Sequence, residues 1–122
     1  MEEKKIRHGE VDVSYFADIS PGNPSFLTDM LQLFLQQIPD ETQKMNDAFD
    51  SGDYKTLNHF SHKLKSTVRM LKFNELADLL AEIERMADEQ TDLKDIKPLL
   101  SRVNALMYKL IVGLEEIIKS YR

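Results

Sequence analysis

The sequence predicts an all-α fold, an antiparallel four-helix bundle with an additional short N-terminal helix. Its apolar residues recur at intervals of three and four rather than two, the period of one face of a helix. Only four glycines and four prolines interrupt the 122 residues, so the periodic runs are long and their connections short. Short connections let helices fold back on their neighbours within one chain, which favours a bundle over a coiled-coil oligomer and predicts a monomer. No strand, internal repeat or low-complexity tract is visible. Residues 1–122 are expected to form a single domain, with 1–11 a loose N-terminal segment.

A short first helix is predicted from Asp12 to about Ile19, ended by Ser20-Pro21-Gly22. Asn23-Pro24 then has the form of an N-cap followed by proline at the first helical position. The second helix carries Leu27, Leu31, Phe34, Ile38, Met45 and Phe49 on one side and should end near Ser51-Gly52. Pro39 lies inside it and should kink it, because proline removes one ladder bond and crowds the preceding turn. A third helix, from about Tyr54 to Leu71, buries Leu57, Leu64, Val68 and Leu71. The fourth runs from Asn74, its expected cap, to about Glu89, with Leu76, Leu80, Ile83 and Ala87 inward. The fifth has a seam of Leu93, Ile96, Leu100, Val103, Met107, Leu110, Leu114, Ile117 and Tyr121, which demands partner helices. Pro98 is best tolerated in a first turn, which places the start of this helix near Asp95 and leaves Leu93 as its lead-in.

Sixteen Lys and Arg against 21 Asp and Glu leave a net charge of -5. No basic face is concentrated enough to track a phosphate backbone, so nucleic acid is excluded as a partner. The absence of cysteine removes disulfides, thiolate nucleophiles and Cys-based zinc sites together. The opening MEEKKIRHGE is too polar for a secretory leader, and no apolar run approaches the ~18 residues of a membrane span. The expected location is cytoplasmic, with no direct membrane insertion. There is no Gly-rich phosphate loop, nucleophile elbow or triad-like set.

The chemistry-bearing stretch is His59-Phe60-Ser61-His62-Lys63-Leu64-Lys65-Ser66-Thr67, which holds two of the three histidines. At about 100° per residue, His62, Lys65, Ser66 and Arg69 share a polar stripe of the third helix, with Leu64 nearly opposite. His59 lies at the edge of that stripe. A metal site is not expected, because histidines at i and i+3 without a convergent acidic pair fall short of a ligand set.

His62-Lys63-Leu64-Lys65-Ser66-Thr67, with Leu71 beyond it and five helices around it, resembles the histidine-containing phosphotransfer (Hpt) domains of two-component phosphorelays. Their hallmark is a helical H-x-x-K followed by small residues. The resemblance implies that His62 is the phosphoacceptor. Lys65 can swing its ammonium toward a phosphoryl group on the imidazole and offset charge through a charge-assisted hydrogen bond. His59 has His62 at that offset instead of a lysine. Family members also place a carboxylate or amide on the following helix to bond the ring nitrogen that does not react, and here that position is Glu84. Glu84 falls about 80° from Leu76, at the border of the core face.

The implied activity is that of a phosphocarrier without its own ATP site. It would accept a phosphoryl group from a receiver-domain aspartate and pass it to another receiver. The implied partners are response-regulator receiver domains and a hybrid sensor histidine kinase. No cofactor is intrinsic, since Mg²⁺ comes with the receiver. The chain departs from the family pattern at two glycines. Ser66 stands right after the motif lysine, where tolerated but slower docking is expected, and Lys72 stands in the turn after the helix. Beside Ser66 and Arg69, the docking candidates are Phe16, Ile19, Phe26 and Met30, on the apolar flank between the first and second helices. The alternative is a non-catalytic helical-bundle adaptor, or an inactive phosphotransfer fold that only binds partners. An adaptor would keep binding after His62→Gln, whereas a relay would stop.

Overall fold

The computed structural model describes residues 4–122. Five helices follow a two-stranded hairpin: β1 (Arg7–His8), β2 (Val11–Asp12), α1 (Ser14–Ile19), α2 (Pro24–Ser51), α3 (Tyr54–Met70), α4 (Asn74–Asp88) and α5 (Leu93–Lys119). The four long helices form the predicted antiparallel bundle. Each packs on two others in the cyclic order α2, α3, α4, α5, while α1 lies against α2 and the hairpin against α5. Apolar stripes from all four meet in one core, where Leu31, Leu57, Leu64, Leu80, Ile83, Ile96 and Leu110 are sealed from solvent. Burying such stripes is the main stabilising term of an all-helical fold.

Most boundaries follow from local chemistry. The Asn23 side chain accepts from Phe26 N, with Pro24 at the first helical position of α2. Gly52 ends α2 in the left-handed conformation at φ 69°, which glycine adopts without a Cβ clash. Asp53 caps α3 through Thr56 N. α2 continues through Pro39, which is exposed.

Several expectations are corrected. The N-terminal segment is not loose from Lys5 onward, and it contains the strands that the sequence did not reveal. Arg7 pairs with Asp12 and His8 with Val11, Lys5 N donates to Ser120 Oγ, and Asp12 N donates to Leu71 O. Residues 1–3 of that segment lie outside the described residues. The first helix starts at Ser14 because Asp12 belongs to β2, where its Oδ1 accepts from Ser14 N at 2.8 Å. Phe73, not Asn74, occupies the cap position of α4 and makes no side-chain cap bond. Its ring is buried in the core, which fixes the helix start one residue early. α5 begins at Leu93, capped by Asp92, so Pro98 lies inside it on the exposed side. Asp92 Oδ1 takes the Lys94 N–H and nucleates the helix ahead of the proline.

Lys72 has φ 60°, the left-handed region that glycine enters freely and other residues enter at a cost of about 1–2 kcal/mol. The turn between α3 and α4 thus keeps a glycine-like backbone without glycine. Lys72 Nζ donates to Ser14 Oγ at 2.9 Å, tying this turn to the start of α1. Among the described residues, no helix is long and apolar enough to cross a membrane.

Candidate functional site

The polar stripe of α3 exists because the opposite face is committed to the core through Leu57, Ser61, Leu64 and Val68. Ser61 can be buried because its hydroxyl donates to Leu57 O at 2.7 Å, so no polar atom is stranded. His62 then stands outward with its side chain 59% exposed.

The neighbouring α4 brings Glu84 against this stripe. Glu84 Oε2 lies 2.9 Å from His62 Nδ1, and Glu84 Oε1 lies 2.7 Å from Lys65 Nζ. Lys65 and Glu84 are only 21% and 23% exposed, so their pair is partly shielded from solvent. Lys65 was expected on the open stripe. It is drawn down instead, because α4 approaches α3 on that side and offers a carboxylate.

Burial pushes the Glu84 carboxyl up, but the hydrogen bonds from Lys65 and His62 and their charges outweigh it. The net position is below the usual carboxylate range. Glu84 is therefore ionised at neutral pH and can only accept hydrogen bonds. Its bond with Nδ1 requires that nitrogen to carry the proton, which leaves the lone pair of a neutral His62 on Nε2. The trio can thus offer one nucleophilic nitrogen of fixed tautomer beside an ammonium group.

The other candidates fall in different places. Ser66 is exposed one turn after His62, and its hydroxyl donates back to His62 O at 3.2 Å. Arg69 is exposed and makes only a loose pair with Asp78 at 3.7 Å. Phe16 is withdrawn from the docking candidates: it is buried, edge-on to Phe34 at 5.2 Å between centroids. Its aromatic edge completes the core where α1 crosses α2. Ile19 and Leu33 are exposed, while Phe26 and Met30 are half-buried. His59 is exposed with its ring edge-on to Phe60; it has no lysine at the motif offset and, among the described residues, no acidic partner. Among the described residues, no group of three or more His, Asp or Glu side chains is placed to hold a metal ion.

Two polar contacts were missed from the sequence. Asn58 Nδ2 donates to Glu84 O at 2.8 Å, one turn before His62. Its spacing from His62 and Lys65 is that of one helix stripe, a signal that could have found it. Glu41 of α2 is buried and pairs with Lys63 at 3.2 Å. Its place between Ile38 and Met45 at three-four spacing marked it as inward.

Comparison with known proteins places this geometry in context. The family model described as Hpt domain matches residues 29–113, a span that contains His62, Lys65 and Glu84. The crystal structure of histidine-containing phosphotransfer protein B (HptB) from Pseudomonas aeruginosa PAO1 is similar in fold. It has a TM-score of 0.81 and 18% sequence identity, over 93% of this chain and 97% of that one. No match was found among curated protein sequences.

Proposed function

Because the chain belongs to the Hpt domain family, we propose that it carries a phosphoryl group on His62 between receiver domains of a two-component phosphorelay. The observation that carries this reading is the contact of 2.9 Å between His62 Nδ1 and Glu84 Oε2 on a histidine whose side chain is mostly open to solvent.

In this reading the Nε2 lone pair attacks the phosphorus of a receiver's aspartyl phosphate. The N–P bond forms as the P–O bond to the aspartate breaks, and the bonding pair returns to the aspartate carboxylate. The ring becomes cationic with Nδ1 still protonated, and ionised Glu84 supports that charge. Lys65 sits one turn on, where its ammonium can turn from Glu84 toward the phosphoryl oxygens. Transfer to a second receiver reverses these steps. Positioning and charge supply the catalysis, and the Mg²⁺ that steadies the aspartyl phosphate comes with the receiver. The carrier needs no nucleotide of its own, and its partners are receiver domains and a hybrid sensor kinase in the cytoplasm.

The test is incubation with a panel of phosphorylated receiver domains. Label should pass to the chain and be acid-labile and base-stable, as phosphohistidine is. Receivers that bind without any transfer would instead make the chain an adaptor. Robust labelling from ATP and Mg²⁺ alone, with contaminating kinase excluded, would contradict the carrier reading.

A further inference from the structure

Three side chains of one α3 stripe converge on a single residue of α4. Asn58 Nδ2 donates to the Glu84 carbonyl at 2.8 Å, His62 Nδ1 meets Oε2 at 2.9 Å, and Lys65 Nζ meets Oε1 at 2.7 Å. A turn earlier on α3, the Tyr54 hydroxyl donates to Thr91 O at 2.8 Å, just beyond α4. The C-terminal end of α4 is therefore stapled to α3 by side-chain donors.

Backbone cap bonds from Glu89 N to Arg85 O and from Thr91 N to Met86 O close the end of α4 on itself, but they do not set its register against α3. Glu84 lies four residues before Asp88, the last residue of α4. Its carboxylate must reach two partners on α3 at once, and a small slide of the α4 backbone would lengthen one contact or the other. We infer that Asn58 is a positioning residue, which holds the Glu84 backbone in register so that the carboxylate spans His62 and Lys65. This inference rests on the carrier reading for its rate effect, but not for its effect on the ring.

The chemistry favours a positional role over a purely stabilising one. The Glu84 carbonyl already has a place in the helical ladder, and the Asn58 bond uses its second lone pair. Removing that bond leaves no carbonyl without a partner, so little stability should be lost. A neutral hydrogen bond of ordinary strength, lost from the positioning of Glu84, corresponds to a roughly three- to tenfold slower transfer.

The experiment compares the full chain with Asn58→Ala and with Asn58→Leu, which keeps a similar bulk and no charge but lacks the N–H donor. Each is made with Glu84 present and in a Glu84→Ala background. Single-turnover transfer from a phosphorylated receiver domain gives the rate, and ¹⁵N NMR of the His62 ring gives its tautomer. With Glu84 present, both variants should be about three- to tenfold slower and show more Nε2–H tautomer. In the Glu84→Ala background the same substitutions should cost nothing further, because there is no carboxylate to position. An unchanged tautomer balance, or an equal rate loss in both backgrounds, would overturn the role of Asn58. If the unsubstituted chain takes no phosphoryl group on His62, the carrier reading fails, and the tautomer measurement alone still decides the question of Asn58.

Discussion

Glu84 Oε2 stands 2.9 Å from His62 Nδ1, across the interface of two helices and without a bridging group. The same carboxylate reaches Lys65 with its other oxygen at 2.7 Å. One side chain thereby fixes which histidine nitrogen holds the proton and holds a cation one turn away. This arrangement makes the consequences of single substitutions distinct.

Lys65→Ala should do two things at once. If the ammonium stabilises the transferring phosphoryl group by a charge-assisted bond of about 1.5–3 kcal/mol, transfer slows by roughly 10- to 150-fold. Because Lys65 is half-buried against Glu84, the fold should also lose about 1 kcal/mol, lowering the melting temperature by a few degrees. Rapid-quench transfer and thermal melts read the two effects separately. An unchanged rate would reduce Lys65 to a partner of Glu84 alone.

The lowered carboxyl of Glu84 sets a direction for acid stability. A group whose folded pKa is depressed contributes stability that is fully present above its unfolded pKa and is lost as pH falls through the folded one. Relative to Glu84→Gln, the native chain should therefore be more stable at neutral pH. The difference should shrink as pH falls from the ordinary value of 4.5 and vanish below the depressed value. Urea unfolding of both proteins across this range checks it, and a gap that widened toward acid would reverse the sign of the Glu84 interaction.

Ser66 separates stability from rate. Glycine there should cost roughly half a kcal/mol of helix stability, since serine is the better helix former. If the receiver approaches over this turn, Ser66→Gly should speed transfer and Ser66→Leu should block it with little loss of stability, because the position is exposed. Rates independent of side-chain size at position 66 would move the docking face elsewhere.

Gly113 tests how the hairpin is seated. A Cβ placed there would stand 2.7 Å from Val11 Cγ2. Alanine gains about 1 kcal/mol of helix propensity, but overpacking a rigid contact costs about 1–3 kcal/mol. Gly113→Ala should therefore destabilise the fold, and Val11→Ala, which removes the nearest contact, should cost less in that background than in the native chain. Transfer should be unaffected, since none of the contacts of His62, Lys65 and Glu84 involves the hairpin.

The helices were legible because burial repeats with the helical period. Leu27, Leu31 and Phe34 of α2 and Ile96, Leu100 and Val103 of α5 are all buried where their spacing predicts. The hairpin was not legible, because two-residue strands are too short to show alternation, and their pairing depends on Val11 meeting Gly113 of α5 far along the chain. Helical angles placed His62 outward but carried no information on how close α4 comes, so the half-burial of Lys65 was hidden. The Phe16 error has the same origin. Its face was legible, but not that the chain would fold it onto Phe34. Glu84 came from family resemblance, since its position at the border of the core face fits a surface carboxylate equally well.

The most direct measurement is the position of the phosphoryl group after incubation with a phosphorylated receiver, mapped in the native chain, in His59→Gln and in His62→Gln. A carrier that works through His62 should show acid-labile label on His62 in the first two proteins and none in the third. Label on His59, or label that survives in His62→Gln, would contradict it.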